Sequence, residues 1–251
     1  MSNRLKNKVA LVTGAGGSIG RAIAHKFASE GAAVACVDIQ REAVDATTEL
    51  ITAAGNAARA YVADIGRRQE VLGLVDTIAR DLGGLDILVN SAMWIRYQAV
   101  AEVDEETVDK MFGIGLKAMF WTTQAVQPQF ERRGGGAIIN LSSIAAIRGS
   151  EHRLVYCTVK GGVTAMTLQC AVELGARNIR VNAIAPGAVL HEGSISRLGP
   201  ELIQLRRDTT PLGRLPEADD IASTALFLAS DESKLVTGEL ICVDGGRRIV
   251  S

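Results

Sequence analysis

The chain has no Cys-x-x-Cys spacing, no grouped histidines, no block of like charge and no apolar run long enough to span a bilayer. Each absence excludes something. Cys36, Cys157, Cys170 and Cys242 stand apart, each inside an expected strand or helix, which points to reduced, buried thiols and a cytoplasmic setting. Cys157 is read as core packing rather than as a redox-sensitive thiol. His25, His152 and His191 lack ligand spacing, so no metal site is expected. With 27 basic against 28 acidic residues, scattered along the chain, neither nucleic acid nor an acidic membrane is expected as a partner. The polar N-terminus lacks a signal-peptide core, and no segment is a membrane-span candidate. No Pro/Gly/Ser-rich linker, repeat or low-complexity stretch divides the 251 residues, so 1–251 reads as a single domain.

What the chain does have begins at Val9–Thr13, a short apolar run of the kind that forms a buried parallel strand. Gly14, Gly16, Gly17 and Gly20 follow, and then a segment with helical spacing. A strand, a glycine turn and a helix start make an anion site, because backbone N–H groups can approach and face a phosphate. The candidate contacts are Gly14, Gly17, Ser18, Ile19 and Gly20. The next strand, Ala32–Asp38, ends in an acid about 20 residues beyond the turn, placed to accept from a ribose 2′-OH and to repel a 2′-phosphate. Ile39 and Gln40 bring no base beside it. These residues predict NAD rather than NADP, with Arg21 and Arg41 read as solvated helix residues.

Strands and helices then alternate. Helices are expected near 41–54, 67–82, 104–132 (one long helix), 154–176 and 217–230, and strands at 57–64, 86–92, 136–143, 179–187 and 239–246. The stretch from Gly187 to Pro216 reads as polar and irregular. This rhythm predicts an α/β fold, a doubly wound, Rossmann-like parallel sheet with helices on both faces. Ligands in such sheets lie at the carboxyl ends of the strands, where Asp38, Asp64, Asn90, Ser143, Pro186 and Gly187 all fall.

Tyr156 and Lys160 are four residues apart and so share one helix face, with Ser143 across a short loop. A neighbouring ammonium favours phenolate and lowers the phenol pKa toward the working range, which would make Tyr156 a general acid/base.

Taken together, TGAGGSIG at 13–20, Asp64-Ile65, LVN at 88–90, NLSS ending at Ser143, YCTVK at 156–160, RVNAIAPG ending at Gly187 and TGELICVDGG at 237–246 resemble the short-chain dehydrogenase/reductase family over nearly the whole chain. The resemblance implies interconversion of a secondary alcohol and a ketone by hydride transfer with NAD. It implies Tyr156 as acid/base, Lys160 as its modulator and ribose ligand, and Ser143 as orienter of the substrate oxygen. Asp64 and Ile65 would flank the adenine, Asn90 the adenosine side and Val189 the carboxamide. It also implies that residues 187–216 form a substrate lid. The chain departs from the family pattern at Ser18, Ser91, Met93, His191 and, above all, Gly115. The last replaces a helix asparagine, leaving only a backbone carbonyl to support a proton relay. His191 stands where a threonine often contacts the cofactor; a loop-surface role and a ligand contact are both open.

Candidate walls of a partly apolar substrate pocket are Met93, Trp94, Ala145, Val155, Ala188 and His191. The substrate is a small alcohol or carbonyl compound. A dinucleotide-binding protein with little catalysis is the alternative, motivated by Gly115 and Met93. A sugar epimerase or dehydratase relative is disfavoured by the short C-terminal part. Apolar residues on the long helix (Met111, Phe112, Met119, Phe120, Trp121) and on the Tyr156 helix (Val163, Met166, Leu168) exceed one core face, and relatives use these helices for contacts between subunits, so a homotetramer is expected.

Overall fold

A computed structural model describes residues 3–190 and 192–250, without the side chains of 192–198. Seven strands form one parallel sheet: β1 Val9–Thr13, β2 Ala33–Asp38, β3 Ala58–Val62, β4 Ile87–Asn90, β5 Gly136–Leu141, β6 Ile179–Pro186 and β7 Leu240–Val243. Their order across the sheet is β3-β2-β1-β4-β5-β6-β7. The chain runs outward from β1 to β3 and returns to the other side of β1, so the strand order reverses between β1 and β4. A crevice opens there at the carboxyl ends, the usual ligand position of such sheets.

Period-two alternation decides which layer each strand residue joins. Ala10 and Val12 of β1, with Val34 and Cys36 of β2, face a core completed by Ile23 and Phe27 of α1 (Ser18–Ser29), Val44 and Ile51 of α2 (Arg41–Ala53), and Ile221 and Leu226 of α8 (Ala218–Ala229). Val9 and Leu11, with Ala35 and Val37, face the opposite core. That core is built from Val75 and Ile78 of α3 (Arg68–Leu82), Val126 and Phe130 of α5 (Ala118–Arg132), and Ala171 and Leu174 of α6 (Leu154–Leu174). The doubly wound sheet expected from the sequence is therefore the observed one.

Two elements differ from expectation. The long helix over 104–132 is interrupted: α4 (Glu105–Phe112) passes through a π-type turn at Gly113–Lys117 before α5 begins. Two glycines in five residues weaken the i→i−4 ladder there, and one extra residue is accommodated. Second, the stretch expected to be irregular contains α7 (Glu192–Asp208), broken at Gly199, whose φ of 70° and ψ of 160° are not helical. Polar residues concealed it, since a helix covering a surface needs few apolar positions. Among the described residues no helix is long and apolar enough to cross a membrane.

Candidate active site

The dinucleotide end is built on the β1–α1 turn. Gly14 has φ +67°, and a Cβ on it would lie 2.7 Å from Cα of Ala92 beyond β4, so any side chain would push the two strand ends apart. Thr13 joins the same two ends: its hydroxyl donates to the Val89 carbonyl at 3.2 Å and accepts from Ser91 N–H at 3.1 Å. Helix α1 has Gly17 at its N-cap, no capping side chain and no acid in its first turn. The first-turn amides at Ser18 and Ile19 therefore present positive potential, and Gly20 behind them is buried. Ser18 keeps negative φ, so serine is accommodated without strain.

Asp38 closes this end. One carboxylate oxygen accepts from Gly16 N–H and the other from Gln40 N–H, each at 3.0 Å. The acid thereby holds the glycine turn as well as facing the crevice, and Ile39 beside it is 63% exposed, an uncovered apolar rim. Arg21, expected in solvent, is half-buried: it donates to the Gly16 carbonyl at 3.1 Å and to Thr47 Oγ1 at 3.0 Å, while Thr47 donates to Ala15 at 2.9 Å. Only the tertiary approach of α2 reveals that role. Asp64 accepts from Gly66 N–H at 2.9 Å and pairs with Arg67 at 3.2 Å, with Ile65 buried beside it. An uncapped helix start, a turn without side-chain bulk, a strand-end acid and an exposed apolar rim fit a nicotinamide dinucleotide.

Asn90, expected on the adenosine side, lies at the carboxyl end of β4 with its side chain turned to other work. It is buried; its Oδ1 accepts from Thr122 at 2.8 Å and its Nδ2 donates to Asn140 at 2.9 Å. Asn140 in turn donates to Thr167 at 2.9 Å. The amide is consumed in a link between β4, β5, α5 and α6, which leaves Asn90 its backbone for any ligand.

The opposite end of the crevice gathers Ser143, Tyr156 and Lys160. Ser143 follows β5, is 7% exposed, and accepts from Ala145 N–H at 3.1 Å, which fixes its hydroxyl. The Ser143 hydroxyl is near enough to the Tyr156 phenol to act on its proton affinity, lowering it. Lys160, 4% exposed, donates to the Leu141 carbonyl at 2.6 Å, and its ammonium lies 5.9 Å from the Tyr156 ring centroid. The phenol is pushed up to about 12, chiefly by burial, with the Ser143 hydroxyl pulling the other way. Burial also presses the Lys160 amine down to about 8. This differs from the expectation of a phenol already lowered by its ammonium neighbour: i,i+4 spacing puts both groups on one face, but burial is the largest influence on each and disfavours both charged forms. In the protein alone Tyr156 is a protonated acid at neutral pH. Tyr61 has an equally raised phenol, about 12, but its hydroxyl donates to Asp81 at the outer end of the sheet.

Sequence reasoning missed Tyr97. Its ring meets that of Tyr156 edge-on, centroids 5.6 Å apart, and the Arg153 guanidinium carbon lies 4.7 Å from its centroid. It sits in the loop after β4, where no periodic signal marks it. Of the proposed pocket walls, Met93, Trp94 and Val155 cluster with Tyr156, and Trp94 carries the Arg96 guanidinium carbon at 4.9 Å and the Lys110 ammonium at 5.3 Å. Ala145 follows Ser143 and is buried. Gly187 donates to the Val243 carbonyl at 2.9 Å, which fixes the backbone running from Pro186 through Ala188 to Val189. His191 lies outside the described residues.

Gly115 has a partner. A Cβ there would overlap the Met93 sulfur and lie 2.8 Å from Val159 Cγ1. The thioether fills the space that a side chain on the π-type turn would need, so Gly115 and Met93 are one packing solution. The two departures from the family pattern are therefore linked.

Residues 14–248 match the family model described as enoyl-(acyl carrier protein) reductase. The 3-oxoacyl-[acyl-carrier-protein] reductase FabG of Thermotoga maritima is 37% identical over 243 residues, covering 97% of this chain and 98% of that protein. D-threitol dehydrogenase of Mycolicibacterium smegmatis is 38% identical, with 98% and 95% covered. The solved 7α-hydroxysteroid dehydrogenase complexed with NADH and 7-oxo glycochenodeoxycholic acid superposes with a TM-score of 0.93 at 36% identity, covering 98% of this chain and 96% of that one. The chain belongs to the short-chain dehydrogenase/reductase family. Like other members it is an NAD(P)-dependent oxidoreductase of the alcohol/ketone couple.

Proposed function

We propose that the protein interconverts a secondary alcohol and a ketone with NAD, Tyr156 serving as general acid/base. The observation that carries this is the gathering of buried Ser143, Tyr156 and buried Lys160, whose ammonium lies 5.9 Å from the Tyr156 ring centroid, at the carboxyl ends of the strands and beside a turn fit for pyrophosphate. When bound, the nicotinamide exchanges a hydride with the carbinol carbon. In the reducing direction the Tyr156 phenol, kept protonated by its burial, would give its proton to the carbonyl oxygen as that carbon receives the hydride. In the oxidising direction the phenolate takes the hydroxyl proton, so alcohol and NAD⁺ become ketone, NADH and a proton. Ser143 donates to the oxygen on which charge develops. Lys160 places a positive charge beneath, held by the Leu141 carbonyl.

NAD is favoured over NADP because the Asp38 carboxylate faces the ribose position and Arg21 is tied to the glycine turn. The structural neighbour complexed with NADH is in accord. Residues 187–216, with α7, would form the lid over the substrate. The four unbridged cysteines suit a cytoplasmic setting.

The test is turnover of a panel of ketones with NADH. Tyr156→Phe is expected to lower kcat by roughly 10²-fold or more while dinucleotide binding persists; full activity in that variant would overturn the assignment. Higher kcat/KM with NADPH than with NADH would overturn the cofactor choice. The reading as a binding protein without catalysis loses its motive, since Met93 accounts for Gly115 by packing.

A further inference from the structure

Arg153 stands beside the Tyr97–Tyr156 ring pair, and among the described residues neither it nor Arg206 has a carboxylate in an ion pair against it. Arg153 is the N-cap of α6, three residues before Tyr156, and its loop is held to the Tyr97 loop by a parallel bridge between Gln98 and Arg153. Its guanidinium carbon lies 4.7 Å over Tyr97, whose ring is 5.6 Å from that of Tyr156. Arg206 of α7 is half-buried; burial first, and then the Arg153 cation, pull its pKa down. Among the described residues Arg153 and Arg206 sit in no ion pair, as is also true of Arg41, Arg68 and Arg207 among others; what sets Arg153 apart is its place over Tyr97, beside the catalytic phenol. The N-terminus of α6 beside them has no side-chain cap and no acid in its first turn, which adds positive potential at the same place. Setting two cations together and partly drying one of them costs stability, and an anion between them reverses that cost.

We propose that Arg153 and Arg206 form an anion subsite, so that the substrate is a ketone or secondary alcohol bearing a carboxylate, sulfonate or phosphate a few bonds from the reacting carbon. This rests on the oxidoreductase reading above. Tyr97 is the spacer: its ring meets that of the catalytic Tyr156 edge-on and carries the Arg153 guanidinium. Because Arg206 belongs to α7, the anion would also tie that helix to the catalytic helix α6 when substrate is bound.

The experiment compares NADH-dependent reduction of 5-oxohexanoate and 6-oxoheptanoate with that of the uncharged 2-hexanone and 2-heptanone. In the wild type, kcat/KM is expected to be roughly tenfold or more higher for the acids, mainly through KM. Arg206→Gln should lower the acid-to-neutral ratio toward one, and Arg206→Lys should restore part of it. No preference for the acids in the wild type, or an equal loss on both classes in Arg206→Gln, overturns the subsite. Where no ketone is reduced, titration of 6-oxoheptanoate into the enzyme–NADH complex, followed by NADH fluorescence, separates the two ideas. Binding that Arg206→Gln abolishes upholds the subsite while the reductase reading fails. No binding overturns the subsite itself.

Discussion

Lys160 concentrates the cost of the active site in one atom. An ammonium that is 4% exposed, with one carbonyl as its partner, is held down to about 8 from its ordinary 10.5. Between those values the unfolded chain binds more protons than the folded one, so stability rises with pH across that window, by up to about 1.4 kcal/mol per pH unit. Tyr156 opposes this only above its ordinary value of 10, where the folded state keeps a proton that the unfolded state loses; stability then falls until about 12. Replacing Lys160 with Met removes the first dependence alone. Thermal melts of the protein without dinucleotide should show the Lys160→Met variant more stable than wild type at neutral pH, with the advantage shrinking as pH rises past about 8. An advantage independent of pH would contradict the buried-ammonium account. The same variant should be inactive, a case of function maintained against stability.

At the scale of elements, the π-type turn between α4 and α5 depends on a side chain from another segment. Met93, in the loop after β4, occupies the space beside Gly115. Putting Asn at Gly115 therefore forces a flexible thioether to move and crowds Val159 on α6. Gly115→Asn alone is expected to cost about 1–3 kcal/mol, as overpacking does. Met93→Gly alone should also destabilise, because it opens a cavity. The double variant should be more stable than the sum of the two losses predicts, by about 1 kcal/mol or more. Denaturant melts of all four proteins check this, and strict additivity would show the two positions to be independent.

For the whole molecule, much of the apolar excess on α4, α5 and α6 is spent inside the chain: Met111, Met119, Val163 and Met166 are buried. What remains outside is smaller and lies on the same helices. Phe120 is 50% exposed, Leu168 54% and Val172 79%. We propose that this face is covered by further copies of the chain in a homotetramer. Sedimentation should give an assembly in the wild type and a smaller species in a Leu168→Glu, Val172→Glu double variant; a monomeric wild type at micromolar concentration would contradict it.

The layered sheet was legible in the residues because strand alternation and glycine placement are local properties, and local sterics act before any distant contact forms. The Tyr156–Lys160 spacing and the Asp38 strand end were readable for the same reason. The π-type turn escaped notice, since a glycine in a helix pattern does not reveal whether a neighbour such as Met93 will occupy its place. Arg21, Tyr97 and the consumed amide of Asn90 depend on groups 26, 59 and 32 residues away (Thr47, Tyr156 and Thr122). The phenol of Tyr156 is the sharpest instance: spacing sets which groups share a face, whereas its proton affinity depends on how much water the surrounding fold removes.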